Sequence, residues 1–216
     1  MHYQFLIEDQ SSAVLIELLM KKILVNNPDT TFDIKPFKGI GGFTKKNTVK
    51  ETKTGKLLND LATYMRGFCK SLQHIEASLF VVLDNDDRNT KVFRSELESV
   101  AQQNQISMDY VFCIAIEEVE AWLLGDRIAI ENAYPHLNNQ ILKHYVQDSI
   151  CGTWELLANV VHKGGLSKLK NASFHEIGRL KCEWAKNIGQ YMDIDNNDSP
   201  SFNYFLTEIR KRLPAV

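Results

Sequence analysis

The sequence predicts an α/β protein: a mainly parallel sheet flanked by helices over residues 1–125, followed by an α-helical annex over residues 126–216. Three observations predict it. Up to residue 117, short apolar runs alternate with segments of helical spacing. The run "ASLFVVLD" is almost continuously apolar, as expected of a strand covered on both faces. Beyond residue 117 the apolar spacing is helical throughout.

Each element follows from its pattern. "YQFLIE" reads as the first strand. In "SSAVLIELLMKKIL", Val14, Leu15, Leu18 and Leu19 fall near helical spacing, with Ser11 or Ser12 as the expected cap. "TFDIKPF" alternates, and Pro36 places it at a sheet edge, since proline cannot donate to a ladder. "LLNDLATYMRGFCKSL" is an amphipathic helix, "ASLFVVLD" the third strand, "VFRSELESVAQQNQ" a helix and "DYVFCIAIE" the fourth strand. In the annex, Trp122, Trp154 and Trp184 each sit in a helical apolar pattern and read as parts of a shared core, with base stacking as the alternative. Ser199 followed by Pro200 marks a helix start.

Composition narrows the function. The 216 residues are 44% hydrophobic and 24% charged, with a formal net charge of −2. No overall positive field draws the chain to nucleic acid or membrane, so an anionic substrate needs local lysines or metal ions. No apolar run reaches the roughly 20 residues of a membrane span, and no signal peptide is evident. Cys69, Cys113, Cys151 and Cys182 form no C-x-x-C pair, and the six histidines show no metal spacing. A reduced cytoplasmic protein without a zinc site is expected.

The chemistry is expected where the strands end. Ligands of open parallel sheets bind beyond the C-terminal strand ends. The first strand ends at Glu8 and Asp9, the third at Asp84, Asp86 and Asp87, and the fourth at Glu117, Glu118 and Glu120. If the strands are neighbours, these acids converge. Two residues apart in an extended chain, Asp84 and Asp86 share a face. Carboxylates held close repel unless a cation intervenes. Oxygen donors without His or Cys favour Mg²⁺ or Mn²⁺. The ordinary alternative is that such acids cap helices or face solvent.

Two basic features accompany the acids. The loop 38–56 carries Lys38, Lys45, Lys46, Lys50, Lys53 and Lys56 against the single acid Glu51, with Gly39, Gly41 and Gly42. It reads either as a wrap for a phosphodiester backbone, with Lys45, Lys46, Lys50 and Lys53 as nucleic-acid contacts, or as a solvated loop. It is not a P-loop, because Gly55-Lys56 is followed by Leu57. Arg88 reads either as a phosphate ligand or as the partner of Asp87.

A glutamate after the first strand and D-x-D after a later apolar strand resemble the Toprim domain of topoisomerases, primases and OLD-family nucleases. "EEVEAWLLGD", "GTWELLANVV", "EWAKNIGQYMDID" and "NDSPSFNYFLTEIRKRL" resemble a prokaryotic family of Toprim-like proteins often encoded beside an ATPase in defence-type gene clusters. The resemblance implies a Toprim-like sheet and a divalent-metal-dependent nuclease cutting DNA or RNA. The implied setting is anti-phage defence with a partner ATPase. It implies Glu8 in acid–base work or holding an ion, and Asp84 and Asp86 as Mg²⁺ or Mn²⁺ ligands. Glu117 and Glu120 lie outside the general Toprim pattern and are expected as second-ion ligands. A non-catalytic scaffold for the ATPase is the alternative. A phospho-receiver would also carry acids after its first and third strands, but the proline-containing loop that should follow Asp84 is missing.

Overall fold

The computed structural model describes residues 1–43, 55–147, 149 and 152–214. Four strands, β1 (His2–Ile7), β2 (Thr31–Pro36), β3 (Ala77–Asp84) and β4 (Asp109–Ala115), form one all-parallel sheet in the order β2-β1-β3-β4. Among the described residues no strand follows β4. β2, which ends in Pro36, is an edge strand, as the proline predicts.

Alternation along the strands divides the core in two. Tyr3, Phe5 and Ile7 of β1, Phe80 and Val82 of β3, and Val111, Cys113 and Ala115 of β4 point to one face. Leu6, Leu79, Val81, Leu83, Phe112 and Ile114 point to the other. Helices α2 (Leu57–Ser71) and α3 (Thr90–Gln103) cover this second face. β3 is therefore buried on both faces, which is why it reads as a continuous apolar run, while the edge strand β2 leaves Thr31, Asp33 and Lys35 exposed.

The first face is covered by α1 (Gln10–Ile23) together with the helical C-terminal region. That region comprises α4 (Glu120–Leu124), α5 (Arg127–Ala133), α6 (Asn139–His144), α7 (Thr153–Val161), a 3-10 turn over Leu166–Leu169, α8 (Phe174–Gly189) and α9 (Pro200–Arg210). α8 packs along α1, where Gly189 lies close to Leu15 and Leu18. Trp122 is fully buried against Phe202 and Phe205, and Phe205 in turn meets Phe5 and Phe80. The Trp122 indole N–H donates to Ser201 Oγ at 2.9 Å. Trp184 is buried in the same core, and Trp154 packs at its margin.

Two helix starts show how the chain sets its boundaries. Ser199 accepts the Phe202 N–H and Pro200 opens α9, as the sequence predicts. At α1 the cap is Asp9, not Ser11 or Ser12. Its Oδ1 accepts the Ser12 N–H at 2.8 Å, and Ser11 Oγ donates back to it. The helix begins directly after the strand-end acids, so both serines fall inside its first turn.

Candidate functional site at the strand ends

β1, β3 and β4 are neighbours, so their C-terminal ends share one edge. Glu8 follows β1 directly. Its Oε2 accepts the backbone N–H of Asp84 at 3.0 Å, across the β1–β3 pairing. Asp84 closes β3 and is buried; its Oδ1 accepts the Val119 N–H at 2.9 Å, reaching the turn after β4. The loops after β3 and β4 are also joined by backbone, through Asn85 N–H to Ala115 O and Asp86 N–H to Glu117 O. Hydrogen bonds thus run across the edge from Glu8 to Asp84 and on to Val119.

Asp86 does not share a face with Asp84. The chain leaves the extended conformation there, with Asp86 at φ 49°, in the left-handed region that asparagine and aspartate tolerate better than most residues. Its Oδ2 pairs with Arg88 Nη1 at 2.6 Å at the half-exposed rim. Arg88 thus pairs with Asp86 rather than Asp87, and it also lies over the Phe93 ring. Glu117 is buried, with a positive φ of 67°, and its carbonyl accepts the Asp86 N–H.

The C-terminal region adds a residue that local motifs do not reveal. Lys181 of α8 reaches the cluster, with Nζ 3.2 Å from Glu120 Oε1 and 3.7 Å from Glu118 Oε1. Glu118 meanwhile caps α7, accepting Thr153 Oγ1 at 3.1 Å and the Trp154 N–H at 3.0 Å. Glu120 Oε2 is buried with no hydrogen-bond partner among the described residues. The only sequence hint was the position of Lys181 among apolar helix positions, and nothing local says which acid it meets.

The electrostatics follow from burial. Burial pushes Glu8 up to about 7; the Asp84 N–H opposes this, and Asp86 and Asp9 add to it. Asp84 is held well above the ordinary carboxylate range by burial and then by Glu8, with Lys181 acting against them. Burial raises Glu120 to about 7 despite Lys181. For Lys181, burial favours the neutral amine, but Glu120, Glu118, Asp84 and Asp9 outweigh it and hold the ammonium charged. Among the described residues the edge is a buried acid cluster with one largely buried cation, Lys181.

The donors are all carboxylate oxygens, which suits a hard divalent ion. Glu8, Asp84 and the unpartnered Glu120 Oε2 are the groups such an ion would relieve. Among the described residues no three His, Cys, Asp or Glu side chains form a preassembled metal-binding group. Lys45, Lys46, Lys50 and Lys53 lie outside the described residues, as does Cys151. The described ends of their loop are pinned beside the site: Gly39 N–H donates to Glu8 O at 2.9 Å, and Lys38 N–H to Gly55 O at 2.7 Å.

Among the described residues no helix is long and apolar enough to cross a membrane. Comparison with curated proteins and with solved structures gives no match. A family model described as Domain of unknown function (DUF4276) matches residues 7–210, nearly the whole chain, and the protein belongs to that family.

Proposed function

We propose that the protein is a divalent-metal-dependent nuclease whose site is the acid cluster at the sheet edge. One observation carries the reading: strand-end segments of three adjacent parallel strands deliver Glu8, Asp84 and Glu120 to one edge, where burial pushes all three towards protonation. The resemblance to Toprim proteins supports it. On that resemblance we also assign it to anti-phage defence beside a partner ATPase, and on its scattered cysteines to the cytoplasm.

Asp84 and Glu120 would hold Mg²⁺ or Mn²⁺, with Glu117 as a further ligand. Asp86, paired with Arg88 at the rim, would have to leave that pair to reach the ion. The ion would polarise a phosphate oxygen and lower the pKa of water. Glu8 would be the base that takes a proton from the attacking water. Its hydrogen bond to the Asp84 N–H fixes one oxygen and leaves the other for the attacking water. Water adds to phosphorus, the scissile P–O bond breaks, and the leaving oxygen takes a proton from solvent. Lys181 holds Glu118 and Glu120 in place. Arg88, next to Asp86, and the lysines of the 38–56 loop are the candidates for the phosphate backbone.

The second reading is a non-catalytic scaffold. Lys181 favours it, because an internal cation already offsets part of the negative charge. One experiment separates the two. Purified protein is incubated with single- and double-stranded DNA and RNA, in Mg²⁺, Mn²⁺ or chelator, with and without the neighbouring ATPase. Cutting that needs metal and falls at least about a hundredfold in Glu8→Gln and Asp84→Asn supports the nuclease. No cutting under any condition supports the scaffold, and undiminished cutting in chelator removes the metal.

A further inference from the structure

A cleft of about 580 Å³ opens against the acid cluster, lined by Trp154, Leu169, Ala172, Phe174, Ile177 and Lys181 among others. Among its lining residues Lys181 is the link to the cluster. Lys181 is its one charged lining residue among those described, and it reaches Glu120 and Glu118. The Trp154 backbone is bonded to Glu118.

Two features of α8 have no explanation in the fold. Phe174 is 99% exposed, a large apolar ring left in water. Gly178 sits inside the helix, where glycine is the poorest choice after proline. A Cβ built there would meet nothing within 4 Å, so no neighbour demands the glycine. Phe174, Gly178 and Lys181 follow helical spacing and share one face. That face runs from an exposed ring, across an open floor, to an ammonium at the acid cluster.

The charge of the surroundings favours a polyanion. Lys163, Lys168 and Lys170 are exposed in the segment leading into α8, whereas Arg179 pairs with Glu183 and Lys181 with Glu118 and Glu120. Lys168 and Lys170 flank the lining residue Leu169 and are exposed.

We infer that this cleft is a base-binding subsite for an unpaired nucleotide, and that the substrate strand is single-stranded. The inference rests on the nuclease reading. The base enters between the aromatic side chains of Trp154 and Phe174, over the floor that Gly178 leaves open. Its backbone faces the basic rim of Lys168 and Lys170. A duplex keeps its bases stacked and paired and cannot present one without extruding it.

The test is binding, measured by fluorescence anisotropy in chelator so that nothing is cut. The probes are a labelled single-stranded oligodeoxynucleotide, its RNA counterpart, its duplex form and an abasic version. The variants are Phe174→Ala and Gly178→Leu. Leucine meets no steric obstacle at Cβ and favours helix, so Gly178→Leu should melt no lower than wild type while filling the floor. Single-strand affinity should fall at least about fivefold in both variants, the lower bound for losing one base stack. Duplex affinity should not change, and the abasic strand should bind wild type as weakly as the intact strand binds Gly178→Leu. Unchanged single-strand affinity, or an equal fall for single strand and duplex, overturns the subsite. So does a change of oligomeric state in Phe174→Ala without loss of single-strand binding, because the ring would then serve a second copy of the chain. A protein that binds as expected but never cuts refutes the nuclease reading and leaves the subsite standing.

Discussion

Lys181 Nζ stands 3.2 Å from Glu120 Oε1, joining α8 to the first residue of α4. The side chains are 14% and 5% exposed, so the pair is shielded from solvent. Removing one partner of such a pair strands the other's charge. Lys181→Met should therefore lose about 3–5 kcal/mol in urea unfolding at pH 8. Adding Glu120→Gln should return much of that loss. A single variant as stable as wild type would show that the pair contributes nothing to folding.

Glu8 makes a prediction about pH. Its folded value of about 7 lies above the ordinary 4.5. Between those values the folded state binds more protons than the unfolded state. The contribution of Glu8 is complete below about pH 4.5 and is lost as pH rises through about 7, with a slope approaching 1.4 kcal/mol per pH unit. Glu8→Gln mimics the protonated group and keeps an oxygen for the Asp84 N–H. In chelator the variant should match wild type near pH 4.5 and exceed it at pH 8. Parallel stability profiles would place Glu8 in ordinary solvent.

Asp84 serves the fold as well as the cluster. Asp84→Ala leaves the Val119 N–H without its acceptor, which costs about 1–3 kcal/mol less whatever repulsion is relieved. Asp84→Asn keeps an acceptor oxygen and removes the charge, so in chelator it should melt at or above wild type. Mg²⁺ should raise the wild-type midpoint by mass action, about 2.7 kcal/mol at a hundred times its Kd, and raise both variants less. An equal Mg²⁺ shift in Asp84→Ala and wild type would remove Asp84 from the metal site.

A chain cut after residue 125 should not fold alone. It would lose Phe205, which packs on Phe5 and Phe80, and the Ile209 carbonyl that accepts the buried Tyr3 hydroxyl at 2.9 Å. The exposed sheet face is a large apolar patch, and such patches aggregate. A soluble, cooperatively melting fragment would show that the helical region is dispensable to the sheet.

The sequence by itself determined the elements and which of the strands end in acids. Apolar periodicity is local, so β1 to β4, the helices between them and the α9 start at Ser199-Pro200 could be read directly. That Glu8, Asp84 and the acids after Ala115 end strands was equally legible. Tertiary structure decided what required neighbours. The order β2-β1-β3-β4 placed three acid-bearing ends side by side, and no local pattern encodes strand order. The turn at Asp86 broke the shared face assumed for D-x-D, because the Asp86 N–H bonds to the Glu117 carbonyl of the adjacent loop. The annex proved to be the covering layer of one sheet face, a matter of which surfaces are complementary. Lys181 and Phe174 acquired meaning only through what α8 lies against: burial beside Glu120 for the first, and an open cleft for the second. Charge and exposure depend on three-dimensional surroundings, and a one-dimensional pattern carries them only where the neighbours are also neighbours in sequence.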